Sequence, residues 1–211
     1  MSGDIRTLKV GCHCGNTQHE IAVNSNELPL KGHMCHCTSC RHATGLLCLT
    51  TARLPRNYKP DPELLDNLTA FDFSDTVRDF FCPDCGTEVL GRWEDSGAIK
   101  WSVPVGALEQ GDVNSFTIDA HIFVEDTRDG GLADFLPKFN GHHVKRHSKG
   151  WASEELPLYW KSPDRQEVKP PNPNERLHGY CKCRGVEFWL VPPSASSSVE
   201  AHGKGVFPED R

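Results

Sequence analysis

Short stretches in which apolar and polar residues alternate recur along the chain as far as residue 124. Residues 6–23 hold two of them around a glycine-flanked turn, and two more at 68–74 and 77–81 are rich in phenylalanine and β-branched residues. Such alternation is typical of β-strands, because successive side chains point to opposite faces. No segment before residue 125 sustains the apolar period of a long helix. We therefore predict a mostly β fold with short helical turns.

The same pattern predicts the remaining elements. Further strands are expected at residues 46–51, 88–93, 99–105 and 116–124. Residues 41–45 predict one helical turn, because Gly45 is a common helix terminator. The basic run at 142–149 is short and has no interleaved aromatic residues, so it predicts a solvated loop rather than a nucleic-acid-binding patch.

Composition and charge restrict the partners and the compartment. The chain has 211 residues and a formal net charge of −6, which argues against nucleic acid or an anionic membrane as the main partner. The N-terminus lacks the apolar core of a secretory signal, and no apolar run approaches membrane-spanning length. We expect a cytoplasmic protein with no membrane partner, and a nuclear location is also compatible with this reasoning. Ten cysteines in such a compartment favour metal or redox chemistry over disulfides.

Two close-spaced cysteine pairs predict a structural metal site. Cys12 and Cys14 lie on a glycine-flanked C-x-C turn, and Cys82 and Cys85 lie on a C-P-x-C-G turn directly after a predicted strand. Zn²⁺ binds four thiolates in a closed tetrahedron, which leaves no position for a substrate. We predict that these four cysteines hold a structural zinc ion, and the alternative is that they are buried, inert thiols.

Three further cysteines predict a second metal site with an open position. Cys35, Cys37 and Cys40 fall within six residues, a spacing that lets three thiolates reach one zinc ion. A catalytic zinc keeps one position for water or substrate, whereas a structural zinc is closed by a fourth protein ligand. We therefore predict a zinc site that binds an incoming thiol.

Neighbouring histidines give the alternative for this second site. His33 or His42 would close the coordination sphere and make the site structural. His36 lies between two of the cysteines, and we expect its side chain to point away from the metal. Cys48 lies in an apolar stretch and is predicted to be a buried core residue rather than a ligand.

An internal repeat follows a proline-rich segment. Cys181 and Cys183 align without gaps with the first C-x-C pair of the chain, and a strand-like stretch follows each pair. A single C-x-C pair cannot complete a tetrahedral site. The second copy is therefore truncated, borrows ligands from another chain, or is a decayed remnant, and we expect it to be truncated and free of metal.

These features predict three parts of the chain. A zinc-binding domain is expected at residues 5–150, a proline-rich linker at 151–177, and the truncated start of a second, similar repeat at 178–211.

Taken together, the motifs resemble the glutathione-dependent formaldehyde-activating enzyme family, also called the centromere protein V family. The matching pieces, in chain order, are residues 11–15, 35–41 with 44–45, 78–87, 121–123 and 135–137. The resemblance covers about residues 5–140, and the repeated C-x-C pair is similar to tandem versions of the domain.

The resemblance implies a zinc-binding β-tent fold with two zinc ions per chain. One ion would be structural, and the other would be exposed and catalytic. Independently of the resemblance, three thiolates leave the second metal centre net negative, so we expect this zinc to be more readily lost. The implied ligands are Cys12, Cys14, Cys82 and Cys85 for the structural ion, and Cys35, Cys37 and Cys40 for the catalytic ion. The implied reaction joins formaldehyde to glutathione, which gives S-hydroxymethylglutathione and places the family among the carbon–sulfur lyases.

The expected partner is glutathione or a related small thiol. Arg41 and Arg78 are our candidates for binding a carboxylate of glutathione, and for both the alternative is pairing with an acidic residue on the sheet surface. The alternative function is a non-catalytic, zinc-stabilised binding module for a protein partner. The sequence predicts no particular oligomeric state.

Overall fold

The computed structural model describes residues 4–109, 114–164 and 176–191. Most of its elements are short strands, which confirms the prediction of a mostly β fold with short helices. The strands are β1 (Ile5–Gly11), β2 (Gln18–Asn24), β3 (Leu30–Cys35), β4 (Leu49–Arg53), β5 (Thr69–Ser74), β6 (Val77–Phe81), β7 (Glu88–Asp95), β8 (Ala98–Pro104), β9 (Phe116–Ile122), β10 (Lys138–Phe139), β11 (His142–His143), β12 (Lys145–Arg146), β13 (Leu177–Tyr180) and β14 (Glu187–Leu190). The helices are α1 (Thr38–Thr44) and α2 (Pro62–Asp66), with 3₁₀ turns at Ser25–Glu27, Val105–Ala107, Val124–Asp126 and Gly131–Asp134. No helix in these ranges is long and apolar enough to cross a membrane.

One large sheet organises the structure. Its strand order is β12-β9-β3-β4-β8-β7-β6-β5, and β9 pairs in parallel with both β3 and β12. Strands β5 to β8 are antiparallel neighbours joined by short connections. The parallel pairing of β9 with β3 places Ile122 beside Cys35, although 86 positions separate them along the chain.

The main hydrophobic core is shared by this sheet and the separate β1–β2 hairpin. Val10, Ile21 and Val23 alternate with exposed positions along the hairpin and are almost fully buried. They belong to the same cluster as Leu90 and Val103 of the large sheet. Full burial of such a side chain stabilises a fold by about 1.5–3 kcal/mol. The alternating pattern of the hairpin therefore attaches it to the sheet.

Helix α1 follows β3 because capping groups stabilise both of its ends. The Sγ atom of Cys37, the N-cap residue, accepts the backbone N–H of Cys40 at 3.2 Å. Asp126 accepts the N–H of Thr38 at 3.0 Å from outside the helix. Gly45 ends the helix at φ 70°, a left-handed conformation that glycine adopts without strain. The predicted helical turn is confirmed, and the helix begins earlier than expected.

Two predictions from local pattern were wrong in detail. The strand predicted at residues 46–51 begins only at Leu49, and Leu46 is 58% exposed. The predicted solvated loop at 142–149 contains β12, whose Arg146 is buried where this short strand pairs with β9. Pairing with a distant strand overrides the polar composition of that segment.

The C-terminal hairpin of β13 and β14 repeats the turn of the first hairpin. The N–H of Cys181 donates to the carbonyl oxygen of Val186 at 3.0 Å, and the N–H of Val186 donates back to the Cys181 sulfur at 3.3 Å. Cys12 makes the same two bonds with Thr17, at 2.9 and 3.1 Å. That this hairpin starts a second repeat stays a prediction, since positions 165–175 of the predicted linker and 192–211 of the repeat lie outside the described residues.

Candidate functional site

The structure brings the four cysteines of the first predicted site together. Cys12 and Cys14 lie on the turn between β1 and β2, and Cys82 and Cys85 lie on the turn between β6 and β7. Their sulfur atoms all lie within 4.8 Å of one another, with 3.4 Å between the sulfurs of Cys12 and Cys14. Four sulfurs at this spacing fit the tetrahedral coordination of zinc. A zinc ion there would join the separate hairpin to the large sheet.

Protein groups that surround this cluster favour thiolates. The N–H of Thr17 donates to the sulfur of Cys12 at 3.1 Å, and the hydroxyl of Thr87 lies 3.2 Å from the sulfur of Cys85. Hydrogen bonds from the side chain and the backbone of Thr87 lower the pKa of Cys85 to about 5. Zinc binds the deprotonated form of cysteine, so these contacts favour metal binding.

The three cysteines of the second predicted site also converge. Cys35 is the last residue of β3, Cys37 is the N-cap of α1, and Cys40 lies in the first turn of that helix. Their sulfur atoms lie within 4.8 Å of one another. Cys35 and Cys40 are buried, whereas Cys37 is partly exposed. The donor set fits three corners of a zinc tetrahedron, and Cys37 marks its accessible side.

Hydrogen bonds distribute charge unequally among these three thiols. Side-chain hydrogen bonds with Cys35 and Cys40, together with the backbone N–H groups of Cys40 and Ser39, lower the pKa of Cys37 well below its usual range. The contacts with Cys35 and Cys37 raise the pKa of Cys40 far above its usual range. The backbone N–H groups at the start of α1 therefore favour the thiolate form of Cys37.

No histidine or carboxylate joins these three cysteines in the described part of the chain. His36 is fully buried, and its Nε2 lies 3.0 Å from Nδ1 of His121 on β9. His33 and His42 each pack edge-on against an aromatic ring. The alternative of a site closed by histidine therefore finds no ligand among residues 4–109, 114–164 and 176–191.

The two arginines singled out from the sequence make contacts within the protein. Arg41 donates from Nε to the carbonyl oxygen of His36 at 3.1 Å and from Nη2 to the carbonyl oxygen of Asp126 at 3.0 Å. It thus ties the cysteine-bearing segment to the loop after β9. Arg78 donates to a carboxylate oxygen of Asp72 at 2.5 Å, which is the surface pairing considered as its alternative role. A role in binding glutathione stays a prediction for both arginines.

A pocket of about 650 Å³ adjoins the three-cysteine site. Its mainly apolar walls come from the end of α1, the start of β4, strands β5 to β7 and the C-terminal hairpin, and they include Ala43, Leu49, Phe71, Phe81 and Lys182. Leu49 also packs against the cluster that contains Cys35 and Cys40, so the pocket and the site share a wall. Sequence reasoning missed the pocket because its walls come from segments far apart in the chain.

Two acidic side chains also line this pocket. Burial raises the pKa of Asp79 to about 6. Burial, with a further contribution from the charge of Asp79, raises the pKa of Glu88 to about 8. A Cβ at Gly91, between the two acids, would be in ordinary contact with an oxygen of each at 3.7 Å, but it would lie only 2.8 Å from the hydroxyl oxygen of Ser102. In the sequence, both acids resemble ordinary surface positions of alternating strands, which is why sequence reasoning missed them.

Comparison with known proteins places this sequence in one described family. The family described as "Glutathione-dependent formaldehyde-activating enzyme" matches residues 7–126, which is more than half of the chain. A Penicillium rubens protein named "Putative glutathione-dependent formaldehyde-activating enzyme" is 30% identical over 93 residues, which are 44% of this chain and 48% of that protein. The match thus spans about half the length of this relative. Both cysteine clusters lie inside the family match, and the chain belongs to the glutathione-dependent formaldehyde-activating enzyme family.

Proposed function

We propose that this chain is a zinc-dependent carbon–sulfur lyase that interconverts S-hydroxymethylglutathione with glutathione and formaldehyde. The observation that carries the proposal is a cluster of three cysteines with no fourth protein ligand among the described residues, beside a pocket. An open coordination position is what separates a catalytic zinc from a structural one. Membership of the family supports the same class of reaction.

The two cysteine clusters would have different tasks. Cys35, Cys37 and Cys40 would hold the catalytic zinc, and Cys12, Cys14, Cys82 and Cys85 would hold the structural zinc. When bound, a catalytic zinc supplies Lewis acidity and favours the thiolate form of a coordinating thiol.

The chain itself supplies a fixed frame for the three sulfurs. Arg41 holds the carbonyl group of His36, and the N-cap bond from the N–H of Cys40 to the sulfur of Cys37 orients two of the ligands. Reacting groups that are held in place before the substrate arrives need less reorganisation during the reaction.

The proposed reaction involves no net oxidation or reduction. In the cleavage direction, the hydroxyl group of the adduct loses its proton and its carbon–oxygen bond becomes the carbonyl bond of formaldehyde. The carbon–sulfur bond breaks, and its electron pair leaves with the sulfur as the glutathione thiolate, which then takes up a proton. In the reverse direction, the thiolate attacks the carbonyl carbon, and the oxygen takes up a proton.

The test is turnover of S-hydroxymethylglutathione by the purified, zinc-loaded chain. Wild-type protein is expected to exceed the spontaneous rate, whereas Cys37→Ser should fall to that rate because the open zinc site loses a ligand. Wild-type turnover equal to the spontaneous rate would contradict the proposal. If glutathione also failed to bind, that result would instead favour a binding module for a protein partner.

A further inference from the structure

The C-terminal hairpin is docked on the helix that carries Cys40. The backbone N–H of Lys182, on the turn of this hairpin, donates to the carbonyl oxygen of His42 in α1 at 3.0 Å. The ring of Tyr180 packs edge-on against the His42 ring, with 4.3 Å between the ring centroids. A segment far from the family match therefore contacts the three-cysteine site of the first domain.

The side chain of Lys182 extends from this contact toward the cysteines. Its Nζ lies 3.4 Å from the hydroxyl oxygen of Ser39 and 4.3 Å from the ring centroid of Phe73. Ser39 lies between Cys37 and Cys40 in the chain, and Phe73 packs against the cluster that contains these cysteines. Lys182 also lines the pocket. Its ammonium group thus lies between the zinc-binding segment and the pocket.

No carboxylate of the described residues is in direct contact with this ammonium group. Within the described ranges, the ion pairs of the hairpin involve His178 or Arg184 with Glu187, and Lys182 takes part in none. Asp79 attracts it only over a longer distance. Arg41 donates to two backbone carbonyl oxygens and Arg78 donates to a carboxylate, whereas the Lys182 ammonium group donates to the neutral hydroxyl of Ser39. Among the described residues, Lys182 is therefore a cation at this site without an anionic partner in contact.

We infer that the C-terminal hairpin completes the substrate pocket and that Lys182 binds a carboxylate of the thiol substrate. The choice of substrate rests on the proposed function, in which the sulfur of the thiol approaches the three-cysteine site. The apolar walls strengthen an ammonium–carboxylate contact, because it is less screened there than in open water.

The substrate class that follows is a small thiol with a carboxylate on its frame. Glutathione belongs to this class, whereas 2-mercaptoethanol and other thiols without a carboxylate lack the group that Lys182 would bind. A diethyl ester of glutathione keeps the sulfur and the peptide frame and removes both carboxylate charges. Comparison of the two ligands therefore isolates the contact with the ammonium group.

Calorimetric binding to the full, zinc-loaded chain tests the inference. Lys182→Met should weaken glutathione binding by about tenfold, the usual effect of losing a hydrogen bond between charged groups. The same substitution should leave binding of the diethyl ester unchanged, and Lys182→Arg should restore most of the affinity for glutathione. Lys138→Met is the matched control, because it removes the same charge from an exposed position on β10 outside the pocket.

Amide hydrogen exchange at Lys182 reports whether the hairpin remains docked, since this N–H is bonded to His42. If Lys182→Met undocked the hairpin, the affinities for glutathione and for its diethyl ester would fall equally, and this outcome would overturn the inference. Equal affinity of wild type and Lys182→Met for glutathione, or no glutathione binding at all, would also overturn it. Binding that depends on Lys182 without turnover would contradict the proposed function alone, and turnover with no dependence on Lys182 would contradict the inference alone.

Discussion

The Nε2 atom of His36 lies 3.0 Å from the Nδ1 atom of His121, and both rings are fully buried. The Nε2 of His121 lies 3.0 Å from the carbonyl oxygen of Leu136, which only accepts hydrogen bonds. His121 therefore carries its proton on Nε2 and accepts a hydrogen bond from His36 at Nδ1. His36, which lies between Cys35 and Cys37, is thereby hydrogen-bonded to β9. The cysteine segment therefore presents only sulfur atoms to a metal.

Removing the acceptor of this pair should destabilise the fold. His121→Phe leaves the buried N–H of His36 without its partner, and an unpaired buried donor costs about 1–3 kcal/mol. Urea denaturation is expected to show that loss in the free energy of unfolding. His142→Phe, on the exposed strand β11, should change it little. Equal stability of His121→Phe and wild type would contradict this account of the pair.

Gly131 should be intolerant of a side chain. Its φ is 57°, and a Cβ there would lie 2.8 Å from Nδ1 of His36. Gly131→Ala therefore adds backbone strain of about 1–3 kcal/mol and displaces a ring that lies between two cysteines of the second site. We expect a lower melting temperature and weaker retention of the second zinc, measured by calorimetry and by dialysis against a chelator. Gly150→Ala is the control, because its Cβ would meet no atom within 4 Å.

The two cysteine clusters should respond differently to serine substitution. Native mass spectrometry of Cys37→Ser is expected to show one zinc fewer per chain, with the melting temperature close to that of wild type. Cys82→Ser removes a fully buried cysteine of the cluster whose zinc would join the β1–β2 hairpin to the sheet, so it should also lose one zinc but unfold at a much lower temperature. The same loss of stability in both variants would contradict a division into catalytic and structural sites.

Glu88 should make stability fall as the pH rises toward alkaline values. Its pKa in the folded protein is raised to about 8, whereas an unfolded glutamate titrates near its ordinary value of 4.5. The folded state therefore holds this proton more tightly, and the stabilisation is complete below the unfolded pKa and lost as the pH rises through about 8.

The Glu88→Gln variant tests this dependence. The difference in unfolding free energy between wild type and Glu88→Gln should shift in favour of the variant between about pH 4.5 and about pH 8 and become constant above that, because glutamine does not ionise. Urea denaturation across this range is the measurement. Glu94→Gln, at an exposed position of the same strand, should show a constant difference from wild type. A constant difference for Glu88→Gln as well would show that Glu88 is not held protonated in the folded chain.

Features encoded over short distances could be predicted from the sequence. Cys35, Cys37 and Cys40 meet because a strand end, an N-cap and a first helical turn bring three nearby residues to one point. Each strand of the β5–β6 pair was recognisable from its own alternation of residues. The end of α1 was predictable because Gly45 adopts a conformation that glycine accepts without strain.

Features that join distant segments could not be predicted in this way. The burial of Arg146 depends on β9, and local composition carries no information about that partner strand. Arg41 and Arg78 were predicted to bind a substrate carboxylate from their charge alone. The oxygens that hold their guanidinium groups come from the fold, whereas Lys182 reaches the site only because its hairpin docks on α1.

The sequence by itself determined the strand-rich fold and the two groups of cysteines, because residue alternation and thiol spacing act over a few neighbouring positions. Only the tertiary structure decided which side chains surround the second group and where the pocket lies. It also placed a lysine of the C-terminal hairpin beside that group. The physical reason is that burial, strand pairing and hydrogen-bond partners depend on segments that meet only once the chain has folded.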